Sequence, residues 1–302
     1  MKPTIKSYLD WPEEICSRDT QHSRWIHPGS NICLDFHGNP GKSQLVVFSD
    51  GDHNMALGEC LDLFKKQNTN LSEIFYTTTP PGPIVNMLKQ GGLQMGNLVI
   101  DVIPNVFISP SEILEKLVAK GFMSNHVPFV QNQGNVLLVK KGNPKNILTI
   151  KDINRLEIRL FISNPETEKE NYTIYSKTLL MTASGQDSDP DFLYKKITQG
   201  QVLFGKYIHH REAPQAVADG SADVAIVFYH LALHYLRIFP DLFDLIPLGG
   251  SIKKPKPLPG NIIGKTNMGL VGDGGKWGSK LLSFLNSKQA MIIYGHHGLR
   301  PI

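Results

Sequence analysis

The sequence predicts an α/β protein in which helices cover both faces of mixed, mostly parallel sheets. Short apolar runs of the length of a buried strand recur along the chain. Each run is followed by a polar turn and then by apolar residues at helical spacing. The 302 residues, 41% of them hydrophobic, suffice for a full core in one large or two medium domains.

The first series of strand-turn-helix units runs from residue 44 to residue 121, after an irregular stretch of about 40 residues. Apolar runs give the strands, and polar turns with Asp, Gly, Thr or Pro separate each strand from its helix. Ser109 and Pro110 are a favourable cap and opening for the third helix. The predicted elements are strand 44–48, helix 55–66, strand 73–76, helix 84–90, strand 105–108 and helix 110–120.

A second series follows in the rest of the chain. Its predicted strands are 135–139, 157–162, 222–228 and 243–248. Residues 251–260 are rich in Pro and Lys and predict a stiff loop. An amphipathic pattern that starts at Lys280 and stops at Gly295 predicts one terminal helix.

Charge and hydropathy exclude two functional classes. The formal net charge is only +4 and no block of like charges stands out, which argues against nucleic-acid binding. Lys253, Lys254 and Lys256 stand among Pro and Gly and are typical of a solvated linker. No apolar stretch reaches the roughly 18 residues that a transmembrane helix needs.

Cysteine content and the amino terminus bear on location. Three cysteines in a chain of this length form no disulfide framework and no recognisable zinc spacing. The first 19 residues contain no apolar core of a secretory signal. Both observations favour a cytoplasmic location, and the alternative is a periplasmic or other extracytoplasmic protein whose leader has been removed.

Short motifs in a fixed order resemble a known family across about residues 44 to 300. Each motif alone is weakly specific, but the ordered set is specific for a fold. The matching segments are 45–48, 84–91, 105–109, 127–129, 135–144, 150–153, 159–165, 216–228 and 283–287, with Tyr294, Gly295 and Gly298. They resemble the type II periplasmic solute-binding proteins, most closely the molybdate/tungstate-binding branch of ABC-transporter substrate-binding proteins.

The resemblance implies a two-lobed, type II periplasmic-binding-protein-like fold with a ligand cleft between the lobes. Residues 1–40 would form an irregular arm, 41–127 with 247–302 the first lobe, and 128–246 the second. Two crossing strands would join the lobes, which would close on ligand like a Venus flytrap. The partner would be an ABC permease.

Ligands of such sheets bind beyond the carboxyl ends of the strands, where polar turns meet helix amino ends. This rule selects the loops 49–54, 77–83, 163–173, 208–212 and 228–230. The candidate ligand-binding residues are Asp50, Gly51, Asp52, His53, Thr78, Thr79, Gly82, Asn164, Glu166, Asn171, Tyr172, His209, His210, Arg211 and Tyr229.

The family's oxyanion-binding positions map imperfectly onto this chain. The first hydroxyl position falls on Asp52 or a neighbour, and the tyrosine position on Phe228 beside Tyr229. The second hydroxyl position falls at 80–82, just after Thr79, and the second-lobe amide positions near Tyr172 and at His210. A carboxylate about 4 Å from a divalent anion would repel it by several kcal/mol.

Carboxylate and imidazole are also ligands for a divalent transition metal such as zinc, nickel, copper or iron. Asp52, His53, His209 and His210 are the candidate metal ligands, and a bound metal would be ligand rather than resident cofactor. The alternatives are that Asp50 or Asp52 caps the next helix and that the loop histidines bond to nearby backbone.

The predicted function is capture of a small metal ion, metal chelate or oxyanion for ABC-type uptake or sensing. A metal-dependent hydrolase that uses the same Asp and His residues is the alternative. The sequence has no Gly-x-Ser-x-Gly or His-Glu-x-x-His motif and no helix-turn-helix, so neither enzyme nor DNA-binding regulator is favoured.

Overall fold

The computed structural model describes residues 35–79, 81–95, 98–185, 189 and 191–302, although the side chain of Asp52 and those of 93–95, 98 and 99 lie outside the description. The predicted arm therefore lies outside it up to residue 34. Contacts within the chain define two compact units. We call residues 35–131 with 265–302 the terminal unit and residues 132–264 the central unit.

In the described part of the terminal unit, seven strands form one sheet and a further two form a small ribbon. Along the sheet the order is β1 (Phe36–His37), β3 (Ile74–Thr78), β2 (Leu45–Ser49), β6 (Val106–Pro110), β13 (Lys265–Leu270), β7 (Val127–Gln131) and β14 (Arg300–Pro301). The ribbon pairs β4 (Leu93–Met95) with β5 (Leu98–Ile100). Only β2 pairs in parallel, with β3 on one side and β6 on the other; the other described pairs are antiparallel.

Helices cover both faces of this sheet. They are α1 (Asn54–Gln67), α2 (Pro81–Gln90), α3 (Ser111–Ala119), α9 (Gly275–Leu285) and α10 (Lys288–His296). Side chains from α1, α9 and α10 share a core with Leu45 and Val47, whereas those from α2 and α3 share a core with Val46 and Phe48. Alternate residues of β2 thus enter two cores, which explains its continuous apolar run.

In the central unit, the described residues form a five-stranded sheet. Its order is β10 (Val202–Phe204), β9 (Leu160–Ile162), β11 (Val224–Phe228), β8 (Asn135–Lys140) and β12 (Phe243–Pro247). Strand β9 pairs in parallel with both neighbours, and the other pairs are antiparallel. Its helices are α4 (Ile150–Ile153), α5 (Lys169–Ser184), α6 (Phe192–Thr198), α7 (His209–Ala218) and α8 (Tyr229–Ile238). The predicted α/β class with mixed sheets is confirmed, whereas the expectation of mostly parallel sheets is wrong, because more of the described strand pairs are antiparallel than parallel.

The single terminal helix predicted from Lys280 onward is wrong, because the structure contains two helices. Helix α9 ends at Leu285, and α10 begins after Ser287. The Ser287 side chain accepts a hydrogen bond from the backbone N–H of Ala290, 3.3 Å away. Ser at this position caps a new amino terminus, so the amphipathic pattern continues across a break in the backbone.

Residues 247–264 lie with the central unit, whereas the sequence analysis assigned them to the first lobe. Buried Asn261 holds this segment. Its Oδ1 accepts a hydrogen bond from the Asn135 backbone N–H at 2.7 Å, and its Nδ2 donates to the Asn135 carbonyl at 2.9 Å. The Nδ2 also donates to the Leu248 carbonyl at 3.3 Å.

Among the described helices, none combines the length and apolar character that a membrane span requires.

We expect Asn261→Ala to lower the free energy of unfolding by about 1–3 kcal/mol, because it leaves buried backbone groups at Asn135 without a partner. Urea unfolding followed by circular dichroism measures the change. The matched control is Asn70→Ala, since Asn70 is exposed in a turn and its removal should change stability by less than about 0.5 kcal/mol. Equal effects of the two substitutions would contradict this account.

Candidate functional site

The parallel strands of the terminal unit end at one edge of the sheet, and the first polar turn lies there. Strand β2 is followed by Asp50 and by the short helical turn Gly51–His53, which leads into α1. The Asp50 backbone N–H donates to the Ile108 carbonyl at 3.2 Å. A Cβ atom on Gly51 would lie 2.6 Å from the Thr78 carbonyl oxygen, so only glycine permits this close approach of the two strand ends.

His53 is buried, and both of its ring nitrogens contact protein groups. Nε2 lies 3.2 Å from Ser49 Oγ and 3.4 Å from Asp50 Oδ1, while Nδ1 lies 3.1 Å from Tyr294 Oη. Ser49 Oγ donates to the Asp50 carbonyl, so Nε2 carries the hydrogen toward Ser49 and Asp50 and Nδ1 accepts from Tyr294. His53 therefore ties the polar turn to α10.

Two buried hydroxyls at the same edge have no hydrogen-bond partner in the described structure. Thr79 follows β3 and is 7% exposed, and Ser109 near the end of β6 is fully buried. The neighbouring Thr78 is different, because its Oγ1 lies 3.1 Å from His37 Nε2. The edge thus presents two hydroxyl groups whose donors and acceptors are available to a ligand.

Thr79 and Ser109 share one face of the sheet. Phe75 of β3 and Phe107 of β6 belong to the core beneath α2 and α3. Side chains alternate along a strand, and the alternation, continued one residue past β3, puts Thr79 and Ser109 on that same face. Helices α2 and α3 begin at Pro81 and Ser111, so each hydroxyl lies two residues before a helix amino terminus.

The central unit has a comparable edge at the carboxyl ends of β9, β10 and β11. Asn164, just past β9, donates from Nδ2 to the Gly205 carbonyl at 2.9 Å, and its Oδ1 accepts from the Glu166 backbone N–H at 2.8 Å. Glu168 accepts at Oε2 from the His209 backbone N–H at 3.0 Å. Asn164 and Glu168 thus connect the loop after β9 to the start of α7, while the Glu166 side chain is exposed.

Ser163 and His209 are buried at this edge, and their side-chain polar atoms have no hydrogen-bond partner among the described residues. Ser163 directly follows β9 and its hydroxyl is unpartnered. Both ring nitrogens of His209 are unpartnered, and its ring lies 4.7 Å from the Tyr175 ring and 5.7 Å from the Phe161 ring, measured between centroids. Burial, and then His210, lower the pKa of His209 from 6.5 to about 3, so the imidazole is neutral at pH 7.

The other predicted residues of the central unit lie on helix amino ends. Asn171 and Tyr172 lie near the start of α5, and His210 and Arg211 in the first turn of α7. Burial, with Arg211 and His230 nearby, lowers the pKa of His210. Tyr229 begins α8, and its hydroxyl donates to the Ile252 carbonyl at 2.5 Å, so the loop after β12 holds this side chain.

The structure therefore brings together Asp50, Gly51, His53, Thr78 and Thr79 at the terminal edge. Gly82 lies in the first turn of α2, exposed and with nothing within 4 Å of a Cβ built on it.

The four predicted metal ligands fall into different units, Asp52 and His53 in one and His209 and His210 in the other. Among the side chains that the structure describes, no three His, Cys, Asp or Glu residues form a group suited to hold a metal.

The sequence analysis missed Ser109 and Ser163 as candidate ligand residues. Both match the pattern by which the candidate ligand residues were chosen, because each is a polar residue at the carboxyl end of an apolar run. The runs are 106–108 and 160–162. Ser109 was interpreted only as a helix cap, and the helix begins two residues later.

Comparisons with known proteins add an independent observation. The family model described as bacterial extracellular solute-binding protein matches residues 45–300. No curated protein matches the sequence.

Solved structures share the fold at low sequence identity. The substrate-binding domain of a putative molybdenum ABC transporter from Clostridium difficile has 14% identity and a TM-score of 0.60, over 85% of this chain and 98% of that one. The sulfate-binding protein SubI from Mycobacterium tuberculosis has 16% identity and a TM-score of 0.60, over 85% of this chain and 86% of that one. Iron-bound HitA from Pseudomonas aeruginosa has 13% identity and a TM-score of 0.55, over 83% of each chain.

The low pKa of His209 predicts a pH dependence of stability. The folded state keeps His209 neutral down to about pH 3, whereas the unfolded chain binds a proton near pH 6.5, so stability falls as the pH drops between these values. This residue contributes at most about 1.4 kcal/mol per pH unit. His209→Phe should flatten the wild-type decline in urea unfolding between pH 6.5 and 4, whereas Asn70→Ala, at an exposed site without a titratable group, should not. A wild-type slope in His209→Phe would refute the assignment.

Proposed function

Because the chain belongs to the bacterial extracellular solute-binding protein family, we propose that its solute is a small oxyanion bound at the carboxyl edges of its strands. The observation that carries this proposal is the pair of buried, unpartnered hydroxyls of Thr79 and Ser109. Solute binding itself is the property of the matched family. The nature of the solute and its contacts are the proposal.

Neutral donors are well suited to a buried oxyanion. A hydroxyl rotates to place its hydrogen toward an anion, and a hydrogen bond to a charged group contributes about 1.5–3 kcal/mol. Thr79 and Ser109 lie on one face and flank β2, the strand between β3 and β6. An anion above β2 could accept from both hydroxyls.

Helix amino termini at the same edge favour negative charge. The first turns of α1 and α2 contain no acidic residue, and the N-cap residues of α1 and α3 form no side-chain hydrogen bond, although Asn54 Oδ1 accepts from the Met55 backbone N–H at 2.7 Å. Free backbone N–H groups and the helix dipole together attract anions. Glu112 in the first turn of α3 is the exception.

Asp50 is the main argument against an anion, because a carboxylate at this edge would repel it. The Asp50 carboxylate lies 3.4 Å from His53 Nε2 and is buried against it. Through this contact the Asp50 carboxylate has a partner within the protein. We propose that Asp50 and His53 support the turn and that hydroxyls and backbone amides contact the solute.

The central unit offers the same chemistry. Ser163 is a buried, unpartnered hydroxyl after β9, and the His209 ring is neutral. The first turn of α8 contains no acidic residue. We propose that this edge of the central unit also has oxyanion-binding character, with Ser163, Asn164 and His210 as its candidate contacts.

The comparisons support an anion more than a cation. Two of the similar structures are described as a molybdenum transporter domain and a sulfate-binding protein. The third is described as iron-bound, which keeps a metal ion or chelate as the second candidate. The metal-dependent hydrolase receives no support from any comparison. We propose that the chain binds its solute without turnover and passes it to an ABC-type permease.

We expect Thr79→Val and Ser109→Ala each to weaken oxyanion binding by about tenfold or more, because each removes one donor to the anion. Isothermal titration calorimetry with molybdate, tungstate and sulfate measures the affinity. The matched control is Thr182→Val, which removes another buried, unpartnered hydroxyl near the far end of α5. Wild-type affinity in the Thr79 and Ser109 variants would refute this site.

The free energy of unfolding of the Thr79→Val and Ser109→Ala variants distinguishes a binding role of these hydroxyls from a structural role. Removing an unpartnered buried hydroxyl should leave the free energy of unfolding unchanged or raise it. A large loss of stability would show that Thr79 or Ser109 has a structural role instead.

The second candidate solute, a metal ion or chelate, is tested by thermal unfolding of protein from which metal has been removed. We expect molybdate, tungstate or sulfate to raise the melting temperature, since a ligand that binds only the folded state stabilises it. Zinc, nickel, copper and iron should not. The opposite pattern, together with stoichiometric metal in elemental analysis of the purified protein, would replace the oxyanion by a metal ion or chelate.

A further inference from the structure

A second candidate binding site lies in the terminal unit, in the groove between α2 and α3. The groove is a cavity of about 270 Å³. Val85, Ile113 and Leu117 supply its apolar lining. Small-molecule sites in proteins commonly combine such an apolar lining with a few convergent polar groups.

Three lysines supply the polar groups of this groove. Lys89 projects from α2, and Lys116 and Lys120 from the end of α3; all three are exposed. Among the residues that the structure describes, no Asp or Glu lines the cavity. The ion pairs found among the described residues include none of these lysines.

The lysines are close enough to repel one another. Lys120, followed by desolvation and Lys116, lowers the pKa of Lys89. A like charge lowers the pKa of an ammonium group because it disfavours the charged form. An anion among the three ammonium groups would remove this repulsion.

Helix dipoles explain part of the arrangement. Lys89 lies in the last turn of α2 and Lys116 in the last turn of α3, where cations are favourable. The dipole effect acts on each helix alone. It does not account for the convergence of three lysines on one cavity with an apolar lining and no acidic residue.

We propose that the groove binds a small organic phosphate, with the phosphate among Lys89, Lys116 and Lys120 and the apolar part against Val85, Ile113 and Leu117. Lysine is a compact point charge that suits phosphate. The cavity is smaller than most drug-sized pockets, so the ligand is correspondingly small.

The cavity extends to Pro81 and Gly82 at the amino end of α2, but its lysines lie away from the proposed solute contacts. The oxyanion contacts lie at the amino ends of α2 and α3, whereas the lysines lie toward their carboxyl ends. The ten residues of α2 span about 15 Å. The two sites can therefore be tested independently.

The probe is phenyl phosphate, titrated calorimetrically at pH 7.5 and low salt. We expect Lys89→Gln/Lys120→Gln to weaken binding about tenfold, as expected for the loss of two exposed ion pairs. The control is Lys66→Gln/Lys265→Gln, which removes two exposed charges outside the groove in the same unit and should keep the affinity within about twofold. Thr79→Val should also leave phenyl phosphate binding unchanged.

Two comparisons define the ligand. Phenol and inorganic phosphate should each bind more weakly than phenyl phosphate, because each lacks one half of the proposed contact. Vesicles of anionic phospholipid and a soluble poly-glutamate peptide test other sources of negative charge. Binding of either one without binding of phenyl phosphate would overturn the proposal, as would equal affinity of the lysine variant and the wild type.

Discussion

A buried hydroxyl without a hydrogen-bond partner costs a folded protein roughly 1–3 kcal/mol, and this cost constrains where such groups persist. Thr79, Ser109 and Ser163 are three of them, and each lies at or near the carboxyl end of a strand. The parallel arrangement creates these positions, because strands that run the same way end at the same edge and are followed by helix amino termini. Under the proposed function, a solute rather than the fold supplies the missing hydrogen-bond partners at these strand ends.

The fold could be predicted from the sequence because its strongest signals are local. The run 45–48 is apolar at every position, and the structure buries it between two cores. The polar turn and the helical spacing that follow fix the order of elements. The break between α9 and α10 was missed because Ser287 interrupts the backbone without interrupting the apolar pattern. The spacing of apolar residues indicates which side chains are buried, but it does not indicate whether the helix axis continues.

The candidate site was only partly predictable, since residue type and position do not determine hydrogen-bond partners. His53 was a reasonable metal ligand in the sequence, but Tyr294, 241 positions away, lies 3.1 Å from its Nδ1. Tyr229 likewise has a partner in Ile252 that no local pattern indicates. Thr79 lies at the strand edge and was predicted as a candidate ligand residue, whereas Ser109, which carried the same strand-end signal, was assigned to a helix cap. Partners from distant segments decide which polar groups remain available.

The two anion sites proposed for the terminal unit rest on different physics. At the strand edge the donors are neutral and buried, so the energy comes from short-range hydrogen bonds and depends little on ionic strength. In the groove between α2 and α3 the groups are exposed ammonium ions, whose attraction weakens as salt screens it beyond about 8–10 Å. Neutral donors in fixed positions select by geometry, whereas mobile lysines select by charge. If both proposed sites bind anions, selectivity for one oxyanion would come from Thr79 and Ser109, and a broader preference for phosphate-bearing molecules from Lys89, Lys116 and Lys120.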